Sequence, residues 1–591
     1  MSGDARAFWS DVTCWAVAAV FAAGLLVLGV RLKSVQIDGV ADSNYDMRRQ
    51  SLRRVRTVGG RGRILACDGT VLAGNRPTLT VTVSPSFFKG RTWEATASGI
   101  QSALEAAAKV IGRPAETGEA EILRHLRQAV ARPIEAWHDL TEAELARFAE
   151  HEREFPGFAC EEGEVRTYPE RTLAAQLVGY VGRDKVESSA DERFSFREFE
   201  MRGRAGLEFY YDAFLRGTPG EDDLQVDSRG FVHREWTVVE PKRGPDLRLT
   251  VDPAVQRAAE AELADVTGAC VVMDPRDGAI LAFASSGAYD LNEMVPVLTR
   301  ERYLASLKSR NLASGGAYAP GSTFKPVTAF AAFRAGVDPA LRYTCAGYYP
   351  CGNMKIRCAR TWGHGELDVR TALRESCNSF FCNLGVIAGS NAVISAARAF
   401  GLGSRTGVDF PEDVPGLVPD AEAKRRLQGA PWYPGDLAQM SIGQGLLLVT
   451  PLQMARVIGA ICTGRLVTPR FKADLPPRVR PVEGFTPAQF AAVRAGLAMV
   501  TDGGTGRYGA EGVAADVVGK TGTAEVGSRE RRHKNTWFVA YATPNAGSRP
   551  SSRGRVVAVA MVIEHGDSGG GTTAPRVASV LKSIYNGGGD D

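Results

Sequence analysis

One long apolar segment lies near the N-terminus. Residues 12–30 are interrupted only by Thr13, Gly24 and Gly29. Nineteen helical residues rise about 30 Å, the thickness of a bilayer core. A cleaved signal peptide would have a shorter apolar core and a small-x-small site, which this segment lacks. We predict an uncleaved single-pass membrane helix after a cytoplasmic tail at residues 1–11, although the flanking charges do not decide its orientation.

Residues 31–245 alternate short strand patterns with turns and three helical patterns. The helical patterns lie near residues 93–112, near residues 119–131 and from Thr141 onward. Thr141 and Glu144 have the spacing of a capping box, which marks the start of a helix. The pattern predicts an α+β domain between the membrane helix and residue 245.

Residues 246–586 have a different pattern. Residues 268–285 form two apolar runs around an Asp-Pro-Arg-Asp-Gly turn, which predicts a hairpin. Three more strand patterns lie at residues 515–526, 535–543 and 555–566, and a helical pattern ends the region. Together they predict an α/β domain whose five-stranded antiparallel sheet is split by a mostly helical insertion of about 230 residues. Residues 587–591 are predicted to be a flexible tail.

Composition and charge exclude several classes of protein. The 591 residues include 71 Lys and Arg against 67 Asp and Glu, a net charge of +4 that argues against a nucleic-acid binder held by bulk charge. The chain is 44% hydrophobic and 23% charged, which excludes a largely disordered chain. Ten cysteines are too few for a disulfide scaffold.

Three short motifs in the last region carry the candidate chemistry. Ser322 and Lys325 are three residues apart at the start of an apolar helix pattern, where a desolvated lysine can act as base for a serine nucleophile. Ser376 and Asn378 follow, offering a hydroxyl for proton relay and a carboxamide. The third motif, in a strand pattern, suits a substrate carboxylate; it consists of Lys520, Thr521, Gly522 and Thr523.

Each motif alone is weak, since an isolated S-x-x-K is usually an ordinary helix start. Their order, with the third motif on a strand after a helical insertion, resembles the penicillin-binding proteins and serine β-lactamases. The rest of the chain resembles class B penicillin-binding proteins, through RGRILACDGTVLAGN at residues 61–75, RTYP at 166–169 and GRAGLE at 203–208. The segments at residues 315–326, 345–349 and 362–365 resemble the elongation branch, penicillin-binding protein 2, more than the division branch.

The resemblance implies a penicillin-binding/β-lactamase-like transpeptidase domain at residues 246–586, preceded by an elongated pedestal (dimerisation-like) domain at 31–245. It implies that Ser322 is acylated, that Lys325 is its base, and that Ser376 and Asn378 complete the catalytic edge. Lys520, Thr521 and Thr523 would bind the carboxylate of a stem peptide or a β-lactam. The backbone N–H groups of Ser322 and Thr523 would form the oxyanion hole.

The implied activity is D,D-transpeptidation of peptidoglycan in cell elongation, without a catalytic cofactor. The implied partner is a RodA-like SEDS glycan polymerase with the elongation machinery, and the implied place is the inner membrane, with the catalytic domain outside the cytoplasm. A division-type penicillin-binding protein is the alternative. A β-lactamase is disfavoured because the motifs include no identifiable deacylating acid, and a β-lactam sensor because such sensors usually carry several membrane helices.

Cysteines cluster inside the insertion, and their spacing leaves three interpretations open. Disulfides are plausible outside the cytoplasm, for example between Cys345 and Cys351. Buried free thiols are the simplest interpretation of Cys382 and Cys462. A structural zinc site needs four convergent ligands, and the family resemblance implies the set Cys345, Cys358, His364 and Cys377. Carboxylates more often fill the first two positions in the family, so thiolates there are a departure.

Overall fold

A computed structural model of the chain describes residues 4–34, 51–183, 196–197, 201–295, 309–352, 354–527, 533–552 and 554–586, with residues 300, 302 and 304. The predicted tail at residues 587–591 lies outside them. The first helix, α1, spans Asp4–Lys33, so residues 4–11 belong to the same helix as the apolar segment. Thr13–Lys33 is long and apolar enough to cross a membrane, with a mean hydropathy of 2.2 and no part of it buried.

Residues 51–248 form three small sheets and several helices. The helices are α2 (Trp93–Ile111), α3 (Glu119–Ala129), α4 (Glu142–His151), α5 (Ala175–Val178), α6 (Gly206–Tyr210) and α7 (Asp212–Leu215). The strands are β1 (Leu52–Thr57), β2 (Ile64–Leu65), β3 (Val71–Val83), β4 (Ile134–Trp137), β5 (Phe158–Thr167), β6 (Val181–Arg183), β7 (Phe196–Arg197), β8 (Met201–Gly203), β9 (Gly220–Val226), β10 (Val232–Val239) and β11 (Leu247–Arg248). The sheet orders are β10-β9-β1-β7, then β11-β2-β3-β4 with β5 also paired to β3, and β6-β8.

The three predicted helices of this region are present, and side chains explain where they begin. Helix α2 starts after Thr92, whose hydroxyl accepts a hydrogen bond from the Ala95 N–H, and ends at Gly112 with φ of 85°. Helix α4 starts with the predicted capping box, in which the Thr141 N–H donates to the Glu144 carboxylate at 2.8 Å. The three helices cover the β3-β4-β5 strands with a separate apolar core.

A buried ion network joins three distant segments. The Glu208 carboxylate is fully buried and accepts hydrogen bonds from Arg61 and Arg166, each at 2.7 Å. Arg61 also donates to Asp212 at 2.8 Å, and Arg166 donates to the carbonyl of Gly62 at 2.8 Å. The two arginines and the glutamate come from the three motifs at residues 61–75, 166–169 and 203–208. Each charge has a partner, so the network fixes these segments without an uncompensated buried ion.

Residues 249–586 contain a larger sheet and most of the helices. The helices are α8 (Pro253–Ala261), α9 (Lys325–Arg334), α10 (Val369–Arg374), α11 (Asn378–Ala388), α12 (Ser390–Ala399), α13 (Ala421–Gln428), α14 (Pro434–Met440), α15 (Pro451–Thr463), α16 (Pro487–Thr501) and α17 (Ala574–Tyr585). The strands are β12 (Gly268–Met273), β13 (Ile280–Ser285), β14 (Tyr343–Cys345), β15 (Tyr348–Cys351), β16 (Met354–Arg357), β17 (Gly365–Leu367), β18 (Arg465–Val467), β19 (Val479–Pro481), β20 (Ala515–Val526), β21 (His533–Pro544) and β22 (Val557–Ile563).

The central sheet has the order β13-β12-β22-β21-β20, and all four pairings are antiparallel, as predicted. Alternate residues of each strand face opposite sides. On β12, Cys270 and Val272 face a core formed with α8 and α17. Val271 and Met273 face the opposite core, which contains α9 and α15. Strand β20 lies at the edge, so one side of it is open to a ligand.

The insertion is mostly helical, but it also contains two small ribbons, β14-β17 and β15-β16, around the cysteines. The helical pattern breaks there because Gly347, Gly352, Gly363 and Gly365 all adopt positive φ, which helices do not allow.

The two regions are in direct contact. The Tyr211 hydroxyl donates to the Asp409 carboxylate at 2.6 Å, and Asp409 also accepts from the backbone N–H groups of Phe471 and Lys472. One apolar core runs from Ile64 to Val562 and contains residues of both regions. Residues 51–248 are therefore packed onto the large domain.

We expect Glu208→Ala to destabilise the folded chain by about 3–5 kcal/mol, because it leaves two buried arginines without their counter-ion. The melting temperature of the detergent-solubilised protein measures the effect. The control is Arg127→Ala, which breaks an exposed pair with Glu94 in the same region and is expected to leave the melting temperature nearly unchanged. Equal shifts for the two variants would contradict the role of the network.

Candidate active site

The first motif begins at a tight turn and ends in a buried helix. Gly321–Phe324 forms a 3₁₀ turn, and α9 continues from Lys325. Nine of the ten residues of α9 are buried, which explains why its pattern is apolar all round. Ser322 is half-buried, whereas the Lys325 side chain is fully buried. The turn thus carries a partly exposed serine, and a fully buried lysine follows it at the start of α9.

Lys325 is buried without an acidic partner among the described residues. Its Nζ lies 2.6 Å from the carbonyl oxygen of Ser376, 2.8 Å from Oδ1 of Asn378 and 3.2 Å from Oγ of Ser376. Burial lowers the pKa of Lys325 to about 8. At pH 7.4 about one amine in five would be neutral, against about one in a thousand at the ordinary lysine value. A buried amine of this kind can accept a proton near neutral pH.

Ser376 occupies a backbone position where glycine is usual. Helix α10 ends in a Schellman motif, with the Ser376 N–H bonded to the Leu373 carbonyl at 3.2 Å and the Cys377 N–H to the Ala372 carbonyl at 3.0 Å. Ser376 is the left-handed residue of this motif, with φ of 53°. Strain of this kind costs of order 1 kcal/mol. In return, the turn directs both the carbonyl and the hydroxyl of Ser376 towards Lys325.

Asn378 begins α11, immediately after the turn. Its Nδ2 donates to the carbonyl of Arg357 at 2.9 Å, while its Oδ1 accepts from Lys325. Because an amide has distinct donor and acceptor ends, the Arg357 carbonyl fixes which end faces the lysine. The orientation of the catalytic edge thus depends on the end of strand β16.

The third motif approaches the same hydroxyl from the sheet. Lys520 is fully buried on edge strand β20, and its Nζ donates to the Ser376 Oγ at 2.9 Å and to the Thr521 carbonyl at 3.1 Å. Desolvation, reinforced by the nearby Lys325, lowers the pKa of Lys520 well below the ordinary value. Two amines without an acid among the described residues make this pocket favourable for an anionic ligand.

Two glycines bring the first and third motifs into backbone contact. A Cβ on Gly321, whose φ is 56°, would lie 2.7 Å from the Thr523 carbonyl oxygen. A Cβ on Gly522 would lie 2.8 Å from the Pro320 carbonyl oxygen. The glycine of the third motif is therefore needed for close packing against the turn around Ser322. The same packing sets the backbone of Thr523 beside the turn of Ser322.

Four sulfur and nitrogen ligand atoms converge beside the catalytic edge. The ligand atoms of Cys345, Cys358, His364 and Cys377 all lie within 4.8 Å of one another. The Cys358 Sγ is 3.6 Å from that of Cys345 and 3.7 Å from that of Cys377, and the Cys345 Sγ is 3.5 Å from His364 Nδ1. All ten cysteines are free thiols. Sulfur ligands on one tetrahedral zinc lie roughly 3.7 Å apart, so these spacings fit a Cys₃His zinc site.

The backbone prepares this cluster for negatively charged sulfur. Each sulfur accepts one backbone N–H: Cys345 from Gly347 at 3.4 Å, Cys358 from Ser379 at 3.2 Å, and Cys377 from Phe380 at 3.4 Å. The hydrogen bond from Cys377, helped by the Ser379 N–H, lowers the pKa of Cys358 below the ordinary thiol value. Thiolates are the form that binds metals. Two ribbons and the turn between α10 and α11 thus build one ligand set.

Comparison with known proteins decides the family. The transpeptidase domain of penicillin-binding proteins matches residues 268–584, more than half of the chain, and the penicillin-binding protein dimerisation domain matches residues 56–249. The chain belongs to the class B penicillin-binding proteins. Its relative in Acinetobacter baumannii, the peptidoglycan D,D-transpeptidase MrdA, is 30% identical over 95% of this chain and 85% of the relative.

Solved structures agree with this family. A chain from a peptidoglycan synthase complex that coordinates polymerisation and crosslinking is 28% identical, with a TM-score of 0.72 over 98% of this chain and 99% of that chain. A complex of PBP2 and MreC from Helicobacter pylori has the same fold, at 23% identity and a TM-score of 0.76 over 90% of this chain and 98% of that chain. The fold of this penicillin-binding protein thus extends across both regions.

Several contacts of the penicillin-binding protein site were not predicted from its motifs. Gln444 Nε2 lies 3.5 Å from the Thr523 carbonyl, and the Gly443 carbonyl accepts from the Gly321 N–H at 2.9 Å. The Thr505 hydroxyl lies 3.0 Å from that of Thr521. The motifs assigned no role to Gly443, Gln444, Thr505 or the Arg357 carbonyl.

We expect the acylation rate of this penicillin-binding protein to rise with pH, by about tenfold per unit below an inflection near 8, because only neutral Lys325 accepts a proton. The second-order rate constant for a fluorescent penicillin between pH 6 and 9 measures it. In Lys325→Ala the inflection should disappear and the rate should fall roughly 100-fold or more. A flat profile in the parent protein would assign the base elsewhere.

Proposed function

We propose that this chain is a peptidoglycan D,D-transpeptidase that acts through an acyl-enzyme on Ser322 and binds β-lactams covalently. The observation that carries the proposal is the convergence of two desolvated lysines, Lys325 and Lys520, on one serine hydroxyl beside the Ser322 turn. Acyl transfer from a peptide C-terminus needs a nucleophile with a base and a cation that binds the terminal carboxylate. These residues can supply all three.

In the acylation step, neutral Lys325 takes the proton of Ser322 as its Oγ attacks the carbonyl of the penultimate D-alanine. Two N–H groups of the neutral amine donate to the Ser376 carbonyl and Asn378, which leaves its lone pair for the proton. The backbone N–H groups of Ser322 and Thr523 stabilise the oxyanion. The hydroxyl of Ser376, held by Lys520, gives its proton to the departing D-alanine amine. Lys325, whose Nζ lies 3.2 Å from the Ser376 Oγ, returns the proton taken from Ser322 to Ser376.

The substrate carboxylate binds to Lys520, Thr521 and Thr523 at the edge of β20. A carboxylate there favours the ammonium form of Lys520 and offsets the desolvation of that side chain. The second step reverses the first, because the amine of a neighbouring stem peptide attacks the acyl-enzyme and returns Ser322 to its free form. A β-lactam keeps its leaving amine tethered to the acyl group, so the acyl-enzyme persists.

The hydrolase alternative is not favoured. Neither Lys325 nor Lys520 contacts a carboxylate in the part of the chain that the structure describes. A β-lactamase needs an acid or base that activates water for deacylation. Similarity to MrdA supports the elongation role over the division role.

We propose that α1 anchors the chain in the cytoplasmic membrane and that the pedestal and transpeptidase domains lie outside the cytoplasm, where stem peptides are found. The solved relatives include one in a complex with MreC and one in a peptidoglycan synthase complex. By analogy, the partners of this chain would be MreC-like elongation proteins and a RodA-like SEDS glycan polymerase in the membrane.

We also propose that Cys345, Cys358, His364 and Cys377 hold a structural zinc ion. Four protein ligands leave no open position, so the metal would supply rigidity and no catalytic water. The role of the residues is to fix the turn that carries Ser376 and Asn378, because Cys377 lies between them. The Arg357 carbonyl, adjacent to Cys358, would be held in place with them and would keep the Asn378 amide oriented.

We expect Ser322→Ala to abolish covalent labelling by fluorescent penicillin while the protein keeps its melting temperature. Peptide mass spectrometry of the labelled parent should place the acyl group on Ser322. The variant Ser98→Ala, at an exposed serine on helix α2 far along the chain from the motifs, serves as a control for handling and should label like the parent. Label retained on Ser322→Ala, or found on Ser376, would reject the assignment of the nucleophile.

Elemental analysis of the purified chain should find about one zinc per molecule, lost in Cys358→Ser and in His364→Ala. Removal of the metal should lower both the melting temperature and the acylation rate, because the catalytic edge loosens without Ser322 being touched. The matched control is Cys382→Ser, which changes a buried cysteine outside the cluster. Metal-free protein with full activity would contradict the site.

A further inference from the structure

The three thiols of the cluster lie close enough to one another to form a disulfide between two of them. Cys358 lies in the middle, 3.6 Å from Cys345 and 3.7 Å from Cys377, sulfur to sulfur. A disulfide bond is about 2.05 Å long, so either pair needs an approach of about 1.6 Å. Chains outside the cytoplasm of bacteria meet thiol oxidants, so three adjacent thiols there are exposed to disulfide formation unless something occupies their sulfurs.

We propose that Cys358 is the site of a reversible disulfide modification, formed with Cys345 or Cys377 whenever the cluster lacks its metal and suppressed when the metal is bound. The inference rests on the structural metal site proposed above and goes beyond it, because it assigns a second chemical state to the same residues. A bound metal ties up the sulfur electron pairs that attack an oxidant, which is why it protects them.

The oxidant is a disulfide-bearing molecule, either a low-molecular-weight disulfide or a disulfide-donating oxidoreductase. The Cys358 thiolate attacks one sulfur of the oxidant, forms a mixed disulfide and releases one thiolate. The neighbouring cysteine then attacks the Cys358 sulfur and releases the second. Two protein thiols lose two protons and two electrons, and one disulfide of the oxidant becomes two thiols.

Cys358 is the best placed of the three for the first attack. Its residue is 6% exposed, against 2% for Cys345 and none for Cys377. Its sulfur is also the one that contacts both others, so a mixed disulfide on Cys358 can be resolved from either side. Cys382 does not share this arrangement, since it is buried with its sulfur 3.3 Å from the Ala438 carbonyl.

A disulfide at Cys358 would affect Ser376 and Asn378 because two residues link the cluster to them. Cys377 lies between Ser376 and Asn378, so a shift of its sulfur bears directly on the turn that holds Lys325. Arg357 precedes Cys358, and its carbonyl holds the Asn378 amide at 2.9 Å. Closing either disulfide therefore changes the position of groups that contact Asn378. We expect the oxidised chain to acylate at least tenfold more slowly than the zinc-loaded chain.

The experiment compares two preparations of the full chain in detergent, one loaded with one equivalent of zinc and one stripped by a chelator that is then removed. Each is incubated with oxidised glutathione. Mass spectrometry of unreduced peptides quantifies disulfides at Cys358, and a chromogenic chelator follows zinc release. The stripped chain should form the disulfide at least tenfold faster than the zinc-loaded chain, and dithiothreitol followed by zinc should restore the original acylation rate.

The double variant Cys345→Asp with Cys358→Asp separates metal binding from thiol chemistry. Carboxylates bind zinc but form no disulfide, so this variant should take up zinc and its acylation rate should not respond to oxidised glutathione. The control Cys382→Ser keeps the three thiols and should oxidise like the parent. A double variant that loses activity on oxidation as the parent does would overturn the proposal.

Two further results would also overturn it. Equal rates of disulfide formation with and without zinc would remove the protective role of the metal. A stripped chain whose cluster stays reduced while the exposed Cys67 forms a mixed disulfide would show that Cys358 is not reactive. The disulfide measurement does not require acylation, so a chain that never binds penicillin would reject the transpeptidase proposal and leave this inference standing.

Discussion

The burial of the Lys325 amine is the constraint on which the active site depends. A lysine in an apolar interior is costly to keep charged, and no acid among the described residues offsets that cost. The sheet and the insertion enclose helix α9, and this enclosure excludes water from the amine. Oxygen acceptors from one strained turn and one helix start then replace the lost water. The packing around α9 thus keeps the Lys325 amine away from water and supplies its hydrogen-bond acceptors.

The pedestal also buries basic side chains, but there each one has an acidic partner. There, Arg61 and Arg166 must stay charged in the interior, and Glu208 supplies the missing charge between them. The comparison explains what each region can do. Paired ions hold distant segments together and have little tendency to exchange protons, whereas the unpaired amines of the catalytic domain are poised to gain or lose a proton. The pedestal therefore uses paired charges to hold its segments together, whereas the catalytic domain uses unpaired amines for proton transfer.

Much of this arrangement could be predicted from the sequence, because local patterns carry it. The period of apolar residues predicted the five strands, and the Thr141 capping box predicted the start of a helix. The motifs predicted which side chains would meet, such as Lys325 with Asn378. Contacts that involve the backbone could not be predicted in the same way. Three such features depend on how distant segments pack: the position of the Arg357 carbonyl, the left-handed turn at Ser376 and the contact between Gly321 and Thr523. The residue types at these positions do not predict them.

The left-handed conformation of Ser376 places folding and function in conflict at one residue. Glycine would relieve the strained turn, yet it would remove the hydroxyl that both lysines approach. A search for thermostable variants that ignores activity would favour glycine there, and the more stable chain would lack the hydroxyl that we propose donates a proton to the leaving amine. Stability engineering of this chain should therefore leave residue 376 unchanged, although its backbone is one of the strained positions that such engineering usually replaces first.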